Sequence, residues 1–367
     1  MTNLCTICNT ANKNRYPIGD CFLCNNTLEQ LNGLIQSASE QLTNEQSSSF
    51  CISTRIPDEW AIKEEELWDK TIMQNESIKQ VLNRKIIQEL TKITQLPYDA
   101  LNGETRVIFE LRKGRIKLYR ENVFLFGRYK KLKANISQSR WMCMRCYGRG
   151  CKECDQKGKH YISVEELIGD PLKEMAHADN YSLHASGRED VDATNTAGRP
   201  FVIEVINPKN TRIDLGKIQE QINKAQNISV TNLKRVNRSA VELVANSHFD
   251  KEYEAMIECT KELNKKDIEK IESLTGTLLD QRTPERVAHR RADIIRKRRV
   301  KHINVISYNG NKAKIRVFAE AGTYIKELIN GDAGRTKPSI AQMLDCEATC
   351  TELIVTQIKD GFLDLVI

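Results

Sequence analysis

Two aspartates in a short charged segment are the residues best suited to chemistry. Asp190 and Asp192 lie within ASGREDVDATNTAGRPFVIEV, and at a spacing of two they share one side of an extended backbone. Gly187 and Gly198 would let the main chain pass close to a ligand. A carboxylate in such a place can act as a nucleophile or a base, although solvated acidic turns have the same composition.

Eight of the 12 cysteines form two groups with the spacing of metal ligands. The first group has two C-x2-C pairs, which predict a closed four-sulfur shell around a structural Zn²⁺. A redox pair is the alternative, but the surrounding βαβ pattern is missing. The second group is more compact and predicts a second zinc, with a glycine-rich thiol linker as the alternative. The two groups are Cys5, Cys8, Cys21 and Cys24, and Cys143, Cys146, Cys151 and Cys154.

Charge is unevenly spread along the 367 residues, whose net charge is +7. Residues 106–152 hold 14 Lys or Arg against Glu110 and Glu121, and residues 281–301 hold nine against Glu285 and Asp293. Such one-signed stretches favour nucleic acid over an ordinary solvated face. No apolar run has the length that a bilayer requires, and the first residues lack a signal-peptide pattern. These features predict a cytoplasmic protein with reduced thiols.

Four motifs, in order, resemble the archaeal and eukaryotic tRNA pseudouridine synthases that modify the TΨC loop. They are GREDVD with GRPFVIEVINP, KEYEAMIEC, QRTPERVAHRRAD and AGTYIKELINGDAGRTKPSI. The resemblance implies an α+β fold whose mixed, largely antiparallel sheet carries a central cleft. It also implies an isomerase that converts uridine to pseudouridine at tRNA positions 54 and 55. The expected partner is tRNA, with no membrane, no organic cofactor and no obligate protein partner.

The resemblance also implies roles for single residues. Asp190 would be the catalytic aspartate and Lys326 the cation that keeps it charged. Tyr253 would stack on the extruded base, Tyr324 would form a second wall, and Arg188 would stabilise the extruded nucleotide. Without the resemblance, Lys326 would be an ordinary helix residue, and Tyr253 and Tyr324 would be ordinary core residues. Arg188 would then simply neutralise Glu189 or Asp192.

A basic segment is expected to grip the RNA backbone beside the cleft, because arginines suit bidentate phosphate contacts. Its residues are Arg286, His289, Arg290 and Arg291, with Arg335 bordering the same cleft. Ala292 stands where the relatives often have proline, which predicts a less rigid loop.

Four segments are predicted to position these residues: a zinc-binding segment (1–55), an RNA-binding domain (56–140), a cysteine-rich linker (141–160) and the catalytic domain (161–367). The second begins with a helix from Glu76 and continues as basic strands broken at Gly114 and at 121–122, and it resembles a THUMP domain. Lys117 would face RNA from one strand, unless that strand is a lysine-guarded edge. In the catalytic domain, Ser163 and Glu166 predict a capped helix.

Other classes of protein fit less of the sequence. A non-catalytic tRNA-binding protein or chaperone would keep both basic stretches without needing Asp190, Tyr253 and Lys326 together. A THUMP-bearing methyltransferase would need a glycine-rich nucleotide loop after a strand, and the sequence has no convincing one. A glycoside hydrolase would place its two carboxylates across the substrate from each other.

Overall fold

A computed structural model describes residues 2–69, 76–101, 103–290 and 292–363, with only the main chain of His289 and Arg290. It contains two compact units. The first is Met1–Asn122 with Ile206–Thr211, and the second is Val123–Val205 with Arg212–Ile367. The division of function among segments 1–55, 56–140, 141–160 and 161–367 stays a prediction. In the described residues, no helix is both long and apolar enough to cross a membrane.

The first unit is a small sheet with helices. β1 pairs in parallel with β2, which forms an antiparallel hairpin with β3. The helix predicted from Glu76 begins at Ile78, where Ser77 and Gln80 cap it reciprocally. The elements of this unit are α1 (Thr6–Ala11), α2 (Leu31–Asn44), β1 (Phe50–Arg55), α3 (Asp58–Trp68), α4 (Ile78–Thr94), β2 (Thr105–Glu110) and β3 (Arg115–Arg120).

The basic hairpin turns where the sequence predicts. Gly114 has a φ of 56° at the turn between β2 and β3, a conformation that glycine adopts without steric cost. On β3, the ammonium of Lys117 lies 3.8 Å from the Glu110 carboxylate, and the guanidinium of Arg115 lies 2.6 Å from it. Part of the positive charge on this face is therefore balanced within the hairpin.

The second unit holds the rest of the helices and strands that the structure describes. The Ser163–Glu166 capping box forms as predicted at the start of its first helix. The elements are β4 (Val123–Lys131), β5 (Ile136–Ser137), β6 (Ile162–Ser163), α5 (Val164–Ala176), β7 (Asn180–Ala185), β8 (Thr194–Ile206), α6 (Leu215–Asn223), β9 (Ile228–Val236), α7 (Ser239–Ala245), β10 (Lys251–Cys259), α8 (Lys265–Glu272), β11 (Leu278–Arg282), β12 (Ile295–Asn309), β13 (Lys312–Ala319), α9 (Ile325–Asn330), β14 (Thr336–Lys337), α10 (Ile340–Leu344) and β15 (Ala348–Ile358).

One large sheet organises this unit. In the described residues it has ten strands, in the order β14-β11-β12-β13-β10-β15-β8-β4-β9, with β7 beside β8. Antiparallel pairs join the strands on either side of one parallel contact, where β15 meets β8 at Ile354–Thr194 and Val355–Asn195. The predicted α+β class with a mixed, largely antiparallel sheet is confirmed.

The third predicted basic strand, β4, belongs to this large sheet. It pairs with β8 and β9, so its GRYKKL end lies in the second unit. Tyr129 and Lys131 on this strand are both buried, and their side chains donate hydrogen bonds to residues 189–191.

Candidate active site

The residues from Ser186 to Ala193 form the loop between β7 and β8, here called the aspartate loop. Gly187 has a φ of 74°, a left-handed conformation that favours glycine. A Cβ at this position would lie 3.2 Å from Nη1 of Arg199 and 3.7 Å from Nζ of Lys251. The loop therefore passes close over two buried cations of the sheet.

Glu189 anchors the loop from its inner side. Its carboxylate accepts from Nε of Arg199 at 2.6 Å and from the hydroxyl of Tyr129 at 3.0 Å, and all three residues are buried. The Arg188 guanidinium lies over the Trp141 ring, 5.5 Å from its centroid.

Lys131 holds the main chain of the same loop. Its ammonium donates to the carbonyls of Asp190 and Val191, both at 2.9 Å, and to that of Ile136 at 2.7 Å. Burial lowers the pKa of Lys131 to about 8, against the opposing pull of Glu189 and the two aspartates. A buried cation therefore fixes the backbone from which Asp190 projects.

Asp190 projects to the outer side of the loop, where its side chain is 29% exposed. Its carboxylate accepts from Nη1 of Arg286 at 2.8 Å and lies 3.8 Å from Nζ of Lys326. Lys326 is closer to the carboxylate of Asp192, at 2.6 Å. Burial alone would raise the pKa of Asp192, but Lys326 outweighs it and lowers that pKa.

Arg286 is shared between two carboxylates. Its Nε donates at 2.7 Å to Glu327, which is buried. Burial alone would lower the pKa of Arg286, but Glu327 and Asp190 outweigh it and raise that pKa. Glu327 thus orients the guanidinium that holds Asp190.

A cavity of about 450 Å³ opens beside Asp190. Its lining includes Tyr253 from β10 and Tyr324 at the start of α9. Tyr253 is 9% exposed, and burial raises its pKa to about 12, so the phenol stays neutral. Asp190, Tyr253, Tyr324, Lys326 and Arg188 therefore line one cavity, while their roles stay predictions.

The structure describes only some of the residues that are predicted to grip the RNA backbone. The side chains of His289 and Arg290, and all of Arg291, lie outside the described residues. Arg335 donates to the carbonyl of Thr283 at 2.7 Å and to Asp293 at 3.0 Å. These contacts engage Arg335 with the ends of the 283–293 segment.

Sequence reasoning missed Lys131, Arg199 and Glu327. A signal existed for the first two, because each is in phase with the inward side chains of its strand: Lys131 with Leu125 and Tyr129, and Arg199 with Phe201, Ile203 and Val205. A charged residue on the apolar face of a strand indicates a buried ion pair or clamp. Glu327 carried no comparable signal, because its helix has only six residues.

Each cysteine group converges on one point. In each, one sulfur from every cysteine lies within 4.8 Å of the others, and the Cys5–Cys24 and Cys143–Cys151 sulfurs are 3.7 and 3.8 Å apart. A tetrahedron with Zn–S bonds of about 2.3 Å has edges of about 3.8 Å. The four-sulfur donor sets and their spacing therefore fit structural zinc.

Comparisons with known proteins show the family to which the chain belongs. A family model described as Pus10, C-terminal, matches residues 124–359. Relatives named tRNA pseudouridine synthase Pus10 include that of Methanopyrus kandleri, 34% identical and covering 93% of this chain and 80% of the relative. That of Archaeoglobus fulgidus is 36% identical and covers 92% of this chain and 95% of the relative. The class is that of the tRNA pseudouridine synthases, which are isomerases.

The chain belongs to the Pus10 family. Solved structures are similar at a lower level. A chain in a Cbf5–Nop10–Gar1 complex is 18% identical, with a TM-score of 0.33 over 63% of this chain and 58% of that one. A pseudouridylate synthase is 14% identical, with a TM-score of 0.24 over 67% of this chain and 70% of that one. At these scores the solved structures add nothing to the assignment.

Proposed function

We propose that this enzyme isomerises uridine to pseudouridine in the TΨC loop of tRNA, at positions 54 and 55, and that Asp190 is its catalytic residue. The observation that carries the proposal is the placement of the Asp190 carboxylate, which lies 2.8 Å from Arg286 and 3.8 Å from Lys326. The adjoining cavity is also lined by Tyr253. Membership of the Pus10 family supports the reaction class and the tRNA substrate.

The reaction rearranges a single nucleoside, so it needs a catalytic side chain that is regenerated at the end. The bond between C1′ and N1 breaks, the uracil turns, and C5 bonds to C1′. The proton on C5 leaves and N1 gains one, so the atoms balance without a co-reactant. An ionised carboxylate can serve as the nucleophile or the base, and two cations, Arg286 and Lys326, lie beside the carboxylate of Asp190.

The target uridine must leave its stack to reach the carboxylate. Tyr253 presents a planar, neutral ring in the cavity, and we assign it to stacking on the extruded uracil. Tyr324 forms a second wall. Arg188, held over Trp141, lies at the cavity where it can stabilise the extruded nucleotide.

The cations have two proposed roles: one positions Asp190, and the others contact RNA. We propose that Arg286 holds Asp190, because its guanidinium already bonds that carboxylate. Arg335, Lys117 and the segment with His289, Arg290 and Arg291 contact the phosphates. Structural zinc in the two cysteine groups would be held by four thiolates each and would leave no open position for chemistry.

The test compares wild type with D190N on an unmodified tRNA transcript, mapping pseudouridine by carbodiimide primer extension. We expect D190N to bind tRNA and to lose about 10²- to 10⁴-fold in rate. E258Q is the matched control, since Glu258 is a partly exposed carboxylate of β10 paired with Lys312. Transcripts with cytidine at position 54 or 55 assign the product. Equal product from D190N and wild type would reject the catalytic assignment.

A further inference from the structure

The second cysteine group lies in a small excursion, residues 141–160, here called the cysteine knuckle. Three large apolar side chains on it face outward: Met144 is 81% exposed, Tyr147 is 74% exposed and Met142 is 51% exposed. Single exposed apolar residues are ordinary. Three within six positions form a patch, and such patches mark interaction sites.

Tyr147 is held out on a rigid turn. It has a φ of 51°, which is unusual for a bulky residue. Gly148 follows at a φ of 88°, and the amide of Gly150 donates to the sulfur of Cys146 at 3.2 Å. Non-glycine residues held in such a conformation cluster at functional sites, including ligand contacts.

The stem of the knuckle is tied to the aspartate loop. Gln138 donates to the carbonyl of Gly187 at 2.8 Å, and Arg188 lies over Trp141, the first residue of the knuckle. The strands β5 and β6, which flank the knuckle, pair at Ile136–Ile162. The patch therefore belongs to an element fastened to the loop that carries Asp190.

The charge of the knuckle suits a polyanion. Residues 141–160 hold five Lys or Arg against Glu153 and Asp155, and Arg145 pairs with Glu153. Arg149 and Lys152 are exposed beside the apolar patch. Apolar faces interleaved with cations are typical of surfaces that bind unpaired nucleotides, whereas the core of a protein interface is depleted of charge.

We infer that the cysteine knuckle is a second RNA-contacting surface, on which Tyr147 and Met144 pack against an unpaired base of the substrate tRNA. Arg149 and Lys152 contact the adjoining phosphates. This inference rests on the proposed function. It predicts that the enzyme recognises a nucleotide outside the catalytic cavity, which would position the tRNA before the target uridine is extruded.

The test replaces the ring and the thioether without touching the cysteines. For Y147A and for M144A/Y147A we expect tRNA affinity, measured by fluorescence anisotropy, to fall about 5- to 150-fold, in keeping with the loss of one stacked base. The single-turnover rate at saturating enzyme should stay near that of wild type. Y147F should bind nearly as well as wild type, because it keeps the ring. Y308A is the matched control, since Tyr308 is 47% exposed on β12.

The outcomes separate this inference from the proposed function. Unchanged affinity in M144A/Y147A, with the zinc content and melting temperature of wild type, overturns the inference and leaves the patch to a protein partner. Equal loss in Y147F and Y147A overturns stacking in favour of a hydrogen bond from the hydroxyl. If wild type makes no pseudouridine while M144A/Y147A loses tRNA affinity, the proposed function fails and the RNA surface stands.

Discussion

Asp190 lies beside two cations, and each of these cations also binds a second carboxylate. Arg286 lies between Asp190 and Glu327, and Lys326 lies between Asp190 and Asp192. The sequence predicted Lys326 as the partner of Asp190, and its ammonium is 1.2 Å closer to Asp192 (2.6 against 3.8 Å). Of the side chains that the structure describes, the nearest cation to the proposed catalytic carboxylate is Arg286, a residue whose motif indicated only contact with RNA.

Replacing Glu327 with glutamine should show whether Arg286 positions Asp190. The side chain is buried and nearly isosteric with glutamine, so E327Q should fold while losing the charge that orients the guanidinium. We expect kcat to fall about 10- to 100-fold, the range for a hydrogen bond to a charged group, with little change in KM for tRNA. Single-turnover and steady-state kinetics measure both.

The matched control for that change is E254Q, which removes a carboxylate of β10 that pairs with Arg316 at 2.7 Å outside the cavity lining. Its kcat should match wild type. A raised KM with an unchanged kcat in E327Q would contradict the positioning role and favour a grip on the RNA backbone.

The strand β4 shows what the sequence could and could not predict. Its existence and its start follow from the predicted break at 121–122 and from the apolar and basic residues of VFLFGRYKK. Its partners do not, because pairing with β8 and β9 joins residues far apart in sequence, and the burial of a strand face depends on those partners. The segment that resembles an RNA-binding domain includes this basic GRYKKL end, whereas Lys131 lies inside, under the aspartate loop.

Some of the site residues could likewise be predicted from the sequence, and others could not. Asp190, Tyr253 and Lys326 were predicted through motifs whose composition and order are specific, and the structure brings them to one cavity. Arg199 and Glu189 escaped that reasoning. Their ion pair, 0% and 2% exposed at the side chains, joins two residues of the first motif, but it depends on a loop folding against a strand, which the motif does not indicate.

Activity should fall as the pH rises through about 8. Burial lowers the pKa of Lys131 to about 8, and the neutral amine has two N–H donors for three carbonyls, so the aspartate loop loosens.

The stability of the fold should change in the opposite direction and rise with pH. An unfolded lysine keeps its proton to about pH 10.4, so between pH 8 and 10.4 the unfolded chain binds more protons and this group makes the free energy of unfolding rise with pH.

A pH profile of kcat with parallel denaturant titrations measures both trends. K131M should be slow at every pH and should lack the decline near pH 8. K130M is the matched control, because Lys130 is the exposed neighbour on the opposite face of β4, and it should behave as wild type. A flat wild-type profile up to pH 9.5 would refute the link between the Lys131 charge and the loop.

Across the whole molecule, the two cysteine groups predict two zinc ions per chain, one in each unit. Elemental analysis should give two for wild type and one for either C21S or C151S. Each substitution should lower the melting temperature, because metal binding contributes directly to folding in small segments of this kind. C51S is the control, since Cys51 belongs to neither group. One zinc in wild type would contradict a second metal site.

The large sheet is joined across its middle by two residue pairs, Ile354–Thr194 and Val355–Asn195, between β15 and β8. The aspartate loop ends where β8 begins, and Val355 itself lines the cavity. The proposed catalytic pocket thus lies across a narrow contact between two extensive antiparallel ladders. Asp190 lies on the β8 side of this contact and Tyr253 on the β10–β15 side, so their separation depends on two residue pairs rather than on a long ladder.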